Sequence, residues 1–310
     1  MRLVVFGLGY SAQAFVARIA DRFDAIVATR RGLAAGSPPR SADAGAASEP
    51  KATSTTLRAF PGEEAALAVD IAEADAILVS IPPDPALAAP HDPVLAAFPD
   101  ALRAAPRLRW LGYLSTVGVY GDHAGAWVDE RTAPSPNSRR TRARVAAEEA
   151  WLRLAAEHGL PVHVFRIAGI YGPGRSAFEK LADGTAKRIV KPGQVFNRVH
   201  VDDIARVLEA SLDRPRPGAI YNVADDEPAP PQDVVAEAAR LAGLPLPPEI
   251  AFAEAELSPM AASFWGETKR VSNARLRQEL GVELAYPTYR EGLRAIRQAG
   301  LTRPSSSPRA

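Results

Sequence analysis

Arg2-Leu3-Val4-Val5-Phe6-Gly7-Leu8-Gly9-Tyr10-Ser11-Ala12 opens the chain with a short apolar run that ends in a glycine turn. The run reads as a parallel strand buried on both faces, because it is continuously apolar rather than alternating. Phe15, Val16 and Ile19 then recur at helical spacing from Ala12 to Ala20, and Ala25-Ile26-Val27-Ala28-Thr29 is a second apolar strand. Strand, glycine turn, helix and strand in that order make one βαβ unit. In Gly7-x-Gly9-x-x-Ala12 the first glycine permits the tight turn, the second lets a pyrophosphate approach the backbone, and Ala12 is the small residue that helix–strand packing asks for. Placed before a helix, such a turn points to dinucleotide binding, with Gly7, Gly9, Tyr10, Ser11 and Ala12 as cofactor residues. The other reading of the turn is purely structural.

The second strand closes on Thr29-Arg30-Arg31. An acidic residue here would serve the ribose 2′-hydroxyl of NAD, whereas two guanidinium groups suit a 2′-phosphate. NADP(H) is therefore favoured over NAD(H), unless the pair is only a solvated loop charge.

Working outward, the same alternation continues. Leu57 to Phe60 resumes an apolar pattern, a helix is expected from about Glu63 to Ala72, and Ala76 to Ile81 is a strand stopped by Pro82-Pro83. Asp92-Pro93 is a cap and first-turn pair that opens a helix to about Ala105. Trp110 to Ser115 is a further strand, Arg140 to His158 a long helix ended by Gly159, and Val162 to Ile167 another strand. A helix from about Asp203 to Ser211 and a strand from Ala219 to Val223 return to the same sheet. The fold class is α/β, a Rossmann-type doubly wound parallel sheet with a smaller, discontinuous C-terminal substrate domain. The expected division is 1–167 with 200–223 for the NAD(P)-binding domain and 168–199 with 224–301 for the substrate side. The segment 32–56, rich in Ser, Ala, Gly and Pro, is expected to be a mobile insertion, and 302–310 a frayed tail.

Composition bounds the rest. The 310 residues are 47% hydrophobic and 24% charged, the balance of a globular protein. With no cysteine there is no disulfide, thiolate metal site or cysteine nucleophile. A net charge of +1 gives no global reason to expect a nucleic acid partner, and Arg139 to Arg144 is too short a basic patch, without interleaved aromatics, to make one. No apolar run approaches the ~20 residues of a membrane span. No signal-peptide cleavage pattern follows the first strand, so a cytoplasmic location is expected. No metal-binding spacing stands out.

The middle of the chain carries Leu114-Ser115-Thr116-Val117-Gly118-Val119-Tyr120-Gly121, then Asp129-Glu130 and Pro134-Ser135-Pro136. Further on come Arg166-Ile167-Ala168-Gly169-Ile170-Tyr171-Gly172-Pro173-Gly174 and Val199-His200-Val201-Asp202-Asp203-Ile204-Ala205. This series resembles the extended branch of the short-chain dehydrogenase/reductase superfamily, the NAD(P)-dependent epimerase/dehydratase group, over about 1–223. The resemblance implies a catalytic Ser/Thr, here Thr116, with a Tyr-x-x-x-Lys pair on the following helix. Glu148 fixes the register, so the tyrosine position is Arg140 and the lysine position Arg144. Both depart from the pattern, and the chain resembles the atypical members that lack the tyrosine. The resemblance also implies that Ser80, Ile81, Pro82, Ser115, Ile167 and Arg144 meet the cofactor. Homodimer pairing through the helices near 93–105 and 140–158 is a further implication.

The departure has a chemical consequence. An arginine gives up no proton at working pH, so the family's acid/base is missing at Arg140. Arg140 and Arg144 share a helix face and are expected either to clamp an anionic group or to form a solvated basic patch. Other candidates for moving a proton are Tyr120, Tyr171 and His200, each with the alternative of packing in the core. His123 with Asp122, and Asp129-Glu130, are weaker candidates on loops. Two functions remain open: an NAD(P)-dependent oxidoreductase or epimerase-like enzyme with Thr116, Arg140, Tyr171 and His200 at a small polar substrate, anionic if the arginines clamp it, or a catalytically silent NADP(H)-binding sensor.

Overall fold

The computed structural model describes residues 1–32 and 54–302. Seven strands form one sheet: β1 (Arg2–Phe6), β2 (Ala25–Arg30), β3 (Ser54–Ala59), β4 (Ala76–Val79), β5 (Trp110–Thr116), β6 (Val162–Ile167) and β7 (Ile220–Val223). Their order is 3-2-1-4-5-6-7, and every neighbouring pair is parallel. The order reverses between β1 and β4, and the carboxyl ends of the strands at such a switch point are where sheets of this kind take ligands. Thr116 lies in register with Ile167, and Ile167 with Val223, so β5, β6 and β7 end on one line along that edge.

Both faces of the sheet are covered, as its continuously apolar strands require. On one face α1 (Tyr10–Ile19) lies against the sheet, and Leu3, Val5, Phe15, Ile19 and Trp110 belong to one core. On the other, α2 (Glu64–Ala72), α3 (Pro93–Ala97), α4 (Pro99–Arg103) and α5 (Arg139–His158) bury Val4, Phe6, Leu67, Val94 and Trp151. The helix expected over 92–105 is thus two. Asp92 caps the first through the Val94 and Leu95 N–H groups, but Pro99 has no N–H to continue the ladder, and the chain breaks at Phe98. Helix α5 runs as expected, started by a Ser138–Thr141 capping box and ended by Gly159 at φ 67°.

The remaining chain builds a smaller C-terminal region. It contains α6 (Ala177–Ala182), α8 (Pro231–Ala242), α9 (Pro259–Trp265) and α10 (Tyr289–Thr302), with short two-stranded pairings such as Arg188–Val190 with Glu249–Ala251. Its core is a separate cluster of Tyr171, Ala229, Ala238, Tyr289 and Leu293. Between α6 and α8, α7 (Val201–Asp213) returns to the sheet and buries Ile204, Val207 and Leu208 beside α1. The expected insertion over 32–56 is shorter at its far end, because Ser54, Thr55 and Thr56 already pair with Ala25, Ile26 and Val27. The rest of that expectation, 33–53, and the expected tail after Thr302 lie outside the described residues. Among the described residues no helix is long and apolar enough to cross a membrane.

His163 in β6 illustrates what burial demands of a polar side chain. It is fully buried against Trp110, its Nε2 accepts the Arg216 N–H at 2.7 Å, and its Nδ1 faces the Leu111 carbonyl at 3.4 Å. Nε2 must therefore stay unprotonated, and burial holds the ring's pKa down to about 4. Between that value and the ordinary 6.5 the unfolded chain binds the proton and the native one does not. Stability therefore falls as pH drops below about 6.5, by about 3 kcal/mol at most from this group. Urea unfolding at pH 7.5 and pH 5 measures the drop, which is expected to shrink when His163→Gln removes the titrating ring.

Candidate active site

The glycine turn sits on the β1 side of the switch point. Gly7 has φ 89°, and its N–H donates to the Thr29 hydroxyl at 2.9 Å, while the Leu8 N–H donates to the Thr29 carbonyl at 3.0 Å. A Cβ on Gly7 would stand 2.5 Å from Ile81 Cγ2, so the residue must be glycine on both counts. Gly9 is different. Nothing lies within 4 Å of where its Cβ would be, and it begins α1 without a side-chain cap. Gly9 thus leaves room for a group to approach the uncapped start of α1, the arrangement that a phosphate fits. Ala12 is fully buried behind it and Ser11 nearly so.

The structure brings most of the expected cofactor residues around this turn, in different roles. Arg30 and Arg31 are exposed at the end of β2. Thr29 is 1% exposed and supports the turn from beneath. Ser80 and Ile81 leave β4 half-buried beside Gly7, and Pro82 is exposed. Ile167 is buried in the core at the end of β6. Tyr10 turns away from the helix and donates to the Pro173 carbonyl at 2.9 Å.

The second half of the site rests on a buried ion pair. Glu148 of α5 accepts from Arg166 of β6 through Nε at 3.2 Å and Nη2 at 2.8 Å, both side chains 3% exposed. The Ser115 hydroxyl also donates to Glu148. Ser115, expected at the cofactor, is therefore a partner of this pair instead, because the inward face of β5 points it at α5. The Arg166 guanidinium covers the Tyr120 ring at 4.8 Å, and the Tyr120 hydroxyl donates to Asn222 Oδ1 of β7 at 2.7 Å. The backbone N–H of Asn222 in turn donates to Glu130 at 2.8 Å. Tyr120 is fully buried and its pKa is raised by that burial, which corrects its expected role as an acid at the cleft.

Two further candidates are corrected in the same way. His200 is 1% exposed and caps α7, its Nδ1 accepting the Asp202 N–H at 3.2 Å between the rings of Tyr171 and Tyr286. Burial lowers its pKa. Tyr171 is buried under α10, its hydroxyl 3.4 Å from the Thr288 carbonyl, and burial pushes its pKa above the ordinary tyrosine value. Neither reaches an open crevice. Asp122 accepts the N–H groups of Ala124 and Thr268, His123 faces the Tyr120 carbonyl, and Asp129 pairs with Arg131, so these loop residues hold their own turns.

Thr116 stays half-buried at the carboxyl end of β5. Its Oγ1 accepts the Gly118 N–H at 3.1 Å, which leaves its own hydrogen free to donate. Arg144 is half-buried beside it, Nη1 donating to the Leu114 carbonyl at 2.8 Å and to the Tyr113 hydroxyl at 3.1 Å. Arg140 is exposed and lies 4.9 Å over the ring of Phe264 in α9. The two arginines share a helix but diverge, one onto the sheet and one onto the C-terminal region, so they do not form the expected two-armed clamp. Phe264 had no local signal, since the contact joins positions far apart in sequence. Lys269 was also missed: it is 6% exposed, bound to the Gly121 carbonyl at 2.6 Å and to Glu267 at 2.7 Å.

Removing Glu148 would leave the Arg166 charge buried without a partner. Glu148→Ala is therefore expected to cost about 3–5 kcal/mol in urea unfolding, while Arg131→Ala, at an exposed pair, is expected to leave the unfolding midpoint nearly unchanged. Equal effects would contradict the central place given to this pair.

Comparison with known proteins agrees with this geometry. Residues 98–224 match the model of the NAD dependent epimerase/dehydratase family. Protein YeeZ of Escherichia coli (strain K12) is 33% identical over 188 residues, which are 59% of this chain and 61% of YeeZ, so the chain spans about three fifths of the curated relative it matches. A functionally unknown conserved protein from Silicibacter pomeroyi DSS has a solved structure that is 47% identical, with 97% of this chain and 99% of that one covered and a TM-score of 0.82. The dTDP-glucose 4,6-dehydratase of Bacillus anthracis str. Ames, solved with NAD, has a TM-score of 0.74 over 96% of each chain at 18% identity, a likeness of fold alone. The matched segment includes the Thr116 strand end and the long helix after it, so over residues 98–224 the chain is similar to the NAD dependent epimerase/dehydratase family.

Proposed function

We propose that this protein is an NAD(P)-dependent oxidoreductase or epimerase-like enzyme, with NADP(H) favoured, that acts on a small polar, anionic substrate through a non-standard acid/base. The observation that carries the reading is the open space at Gly9, in front of an uncapped α1, on the same sheet edge as a Thr116 hydroxyl with a free hydrogen. The residues present suit the cofactor. The α1 amides would face its pyrophosphate, and the exposed Arg30 and Arg31 would take the 2′-phosphate. A bound nicotinamide supplies or accepts a hydride at C4.

The protein's own part is to bind, orient and polarise. Thr116 would donate to a substrate carbonyl oxygen, where developing charge is worth most to stabilise. Arg144 donates twice through Nη1 alone, so its remaining nitrogens would serve the nicotinamide ribose. Arg140 would hold the negative group of the substrate once that group replaces Phe264 over the guanidinium. The region after residue 168, apart from 200–223, forms the substrate side in this reading.

The engagement of both arginines favours a second reading. With Arg140 stacked on Phe264 and Arg144 on Tyr113, neither position offers a transferable proton. The protein would then hold NADP(H) and report its redox state without chemistry.

One set of measurements separates them. Calorimetric and fluorescence titration is expected to show tighter binding of NADPH than NADH, and a screen of anionic carbonyl compounds to show NADPH oxidation. Thr116→Ala is expected to lower that turnover by about a hundredfold with NADPH affinity unchanged. Binding without turnover on any compound would favour the sensor. No binding of either nucleotide would remove both readings.

A further inference from the structure

The segment Gly172–Arg175 of the C-terminal region reaches across to the first turn of α1. Gly172 and Arg175 exchange both backbone hydrogen bonds, at 3.1 and 3.0 Å, around Gly174 at φ 74°. Ser176 then caps α6 with a capping box closed by Glu179. Arg175 is thus held between a closed turn and a capped helix, with its backbone fixed and its side chain exposed. The turn is fastened to α1 by the Tyr10 hydroxyl on the Pro173 carbonyl, and a Cβ on Gly172 would stand only 2.5 Å from that hydroxyl.

The Arg175 guanidinium lies 5.8 Å over the Tyr10 ring. Among the described residues it has no carboxylate partner, whereas Arg18 in α1 and Arg22 just after it both do. Two carboxylates act on this spot through space, Asp202 and Glu179. Glu179 is engaged by the Ser176 N–H and hydroxyl, both at 2.6 Å, and Asp202 stands 3.6 Å from His200 with its side chain half-exposed. A cation is therefore parked on an aromatic face beside the open end of α1, where a dinucleotide would bring two negative phosphates. A planar guanidinium with free donors matches such a group in both charge and shape.

We propose that Arg175 is a cofactor-binding residue that closes onto the pyrophosphate from the substrate side, with Tyr10 as its platform. This rests on the dinucleotide reading of the glycine turn. It makes cofactor occupancy and the placement of the 172–176 turn one event, because the same short segment carries both Arg175 and the Pro173 carbonyl that Tyr10 holds.

The test compares the full-length protein with Arg175→Met, which keeps an unbranched stem without charge, and Arg175→Lys, which keeps the charge without the fork. Each is titrated calorimetrically with NADPH and with ADP-ribose, which shares the pyrophosphate but has no nicotinamide. Arg175→Met is expected to weaken both ligands to the same degree, about tenfold at low salt and less at high salt, and Arg175→Lys to recover part of the loss. Unchanged affinity in Arg175→Met, or a loss with NADPH alone, overturns the assignment while wild-type binding upholds the cofactor reading. A wild-type protein that binds neither ligand overturns the cofactor reading and this proposal together.

Discussion

The Glu148–Arg166 pair is where the two halves of the site are tied together. Glu148 comes from α5, the helix that also carries Arg140 and Arg144, and Arg166 from β6, the strand beside Thr116. Two ions at 3% exposure stay charged only because Arg166 donates to Glu148 through two nitrogens and because Ser115 supplies the carboxylate with a further donor. Truncation of either partner leaves a bare charge in the core. The pair therefore fixes how far α5 stands from β5, and with it the depth at which Arg144 reaches the Leu114 carbonyl.

From that pair the constraint spreads in one direction. Arg166 covers Tyr120, Tyr120 reaches Asn222, and Asn222 holds Glu130 through its backbone and the Ser272 carbonyl through its amide. The turn after Thr116, the far edge of the sheet and the start of the C-terminal region are thereby locked to one another by polar contacts without open solvent. This explains why residues with the chemistry of acids, Tyr120 among them, are not where a substrate could use them. Tyr120 and Asn222 make a rigid frame here because their polar groups are taken up by one another, by Glu130 and by Ser272, whereas Arg166 Nη1 has only the Tyr120 ring beside its guanidinium.

On the opposite side of the sheet edge the turn backbone is held by Thr29, but several groups are left open. Gly9 faces empty space, Arg30 and Arg31 are exposed, and Arg175 rests on an aromatic ring instead of on a carboxylate. A frame rigid at β5–β7 and open donors at β1–β2 is a division of labour that a dinucleotide, long enough to span the switch point, would bridge.

The alternation of strands and helices along the chain, the glycine turn and the long helix ending at Gly159 were legible in the sequence, because each depends on local rules: continuous apolar runs, small residues at a tight turn, a cap and a left-handed stop. The break at Pro99 was legible in principle by the same rule and needed only that a proline be given weight inside an otherwise helical pattern. The substitution of Arg140 and Arg144 for a tyrosine and a lysine was also a matter of sequence, since register against Glu148 decides it. What the sequence could not supply was direction. Arg140 and Arg144 lie four residues apart on one helix, yet only packing sends one to Phe264 and the other to Tyr113. Tyr120, Tyr171 and His200 are chemically apt at any depth, and only the tertiary structure puts them in the core. The reason is physical: hydrogen-bond partners and burial are set by residues remote in the chain, whereas propensity and periodicity are set by neighbours.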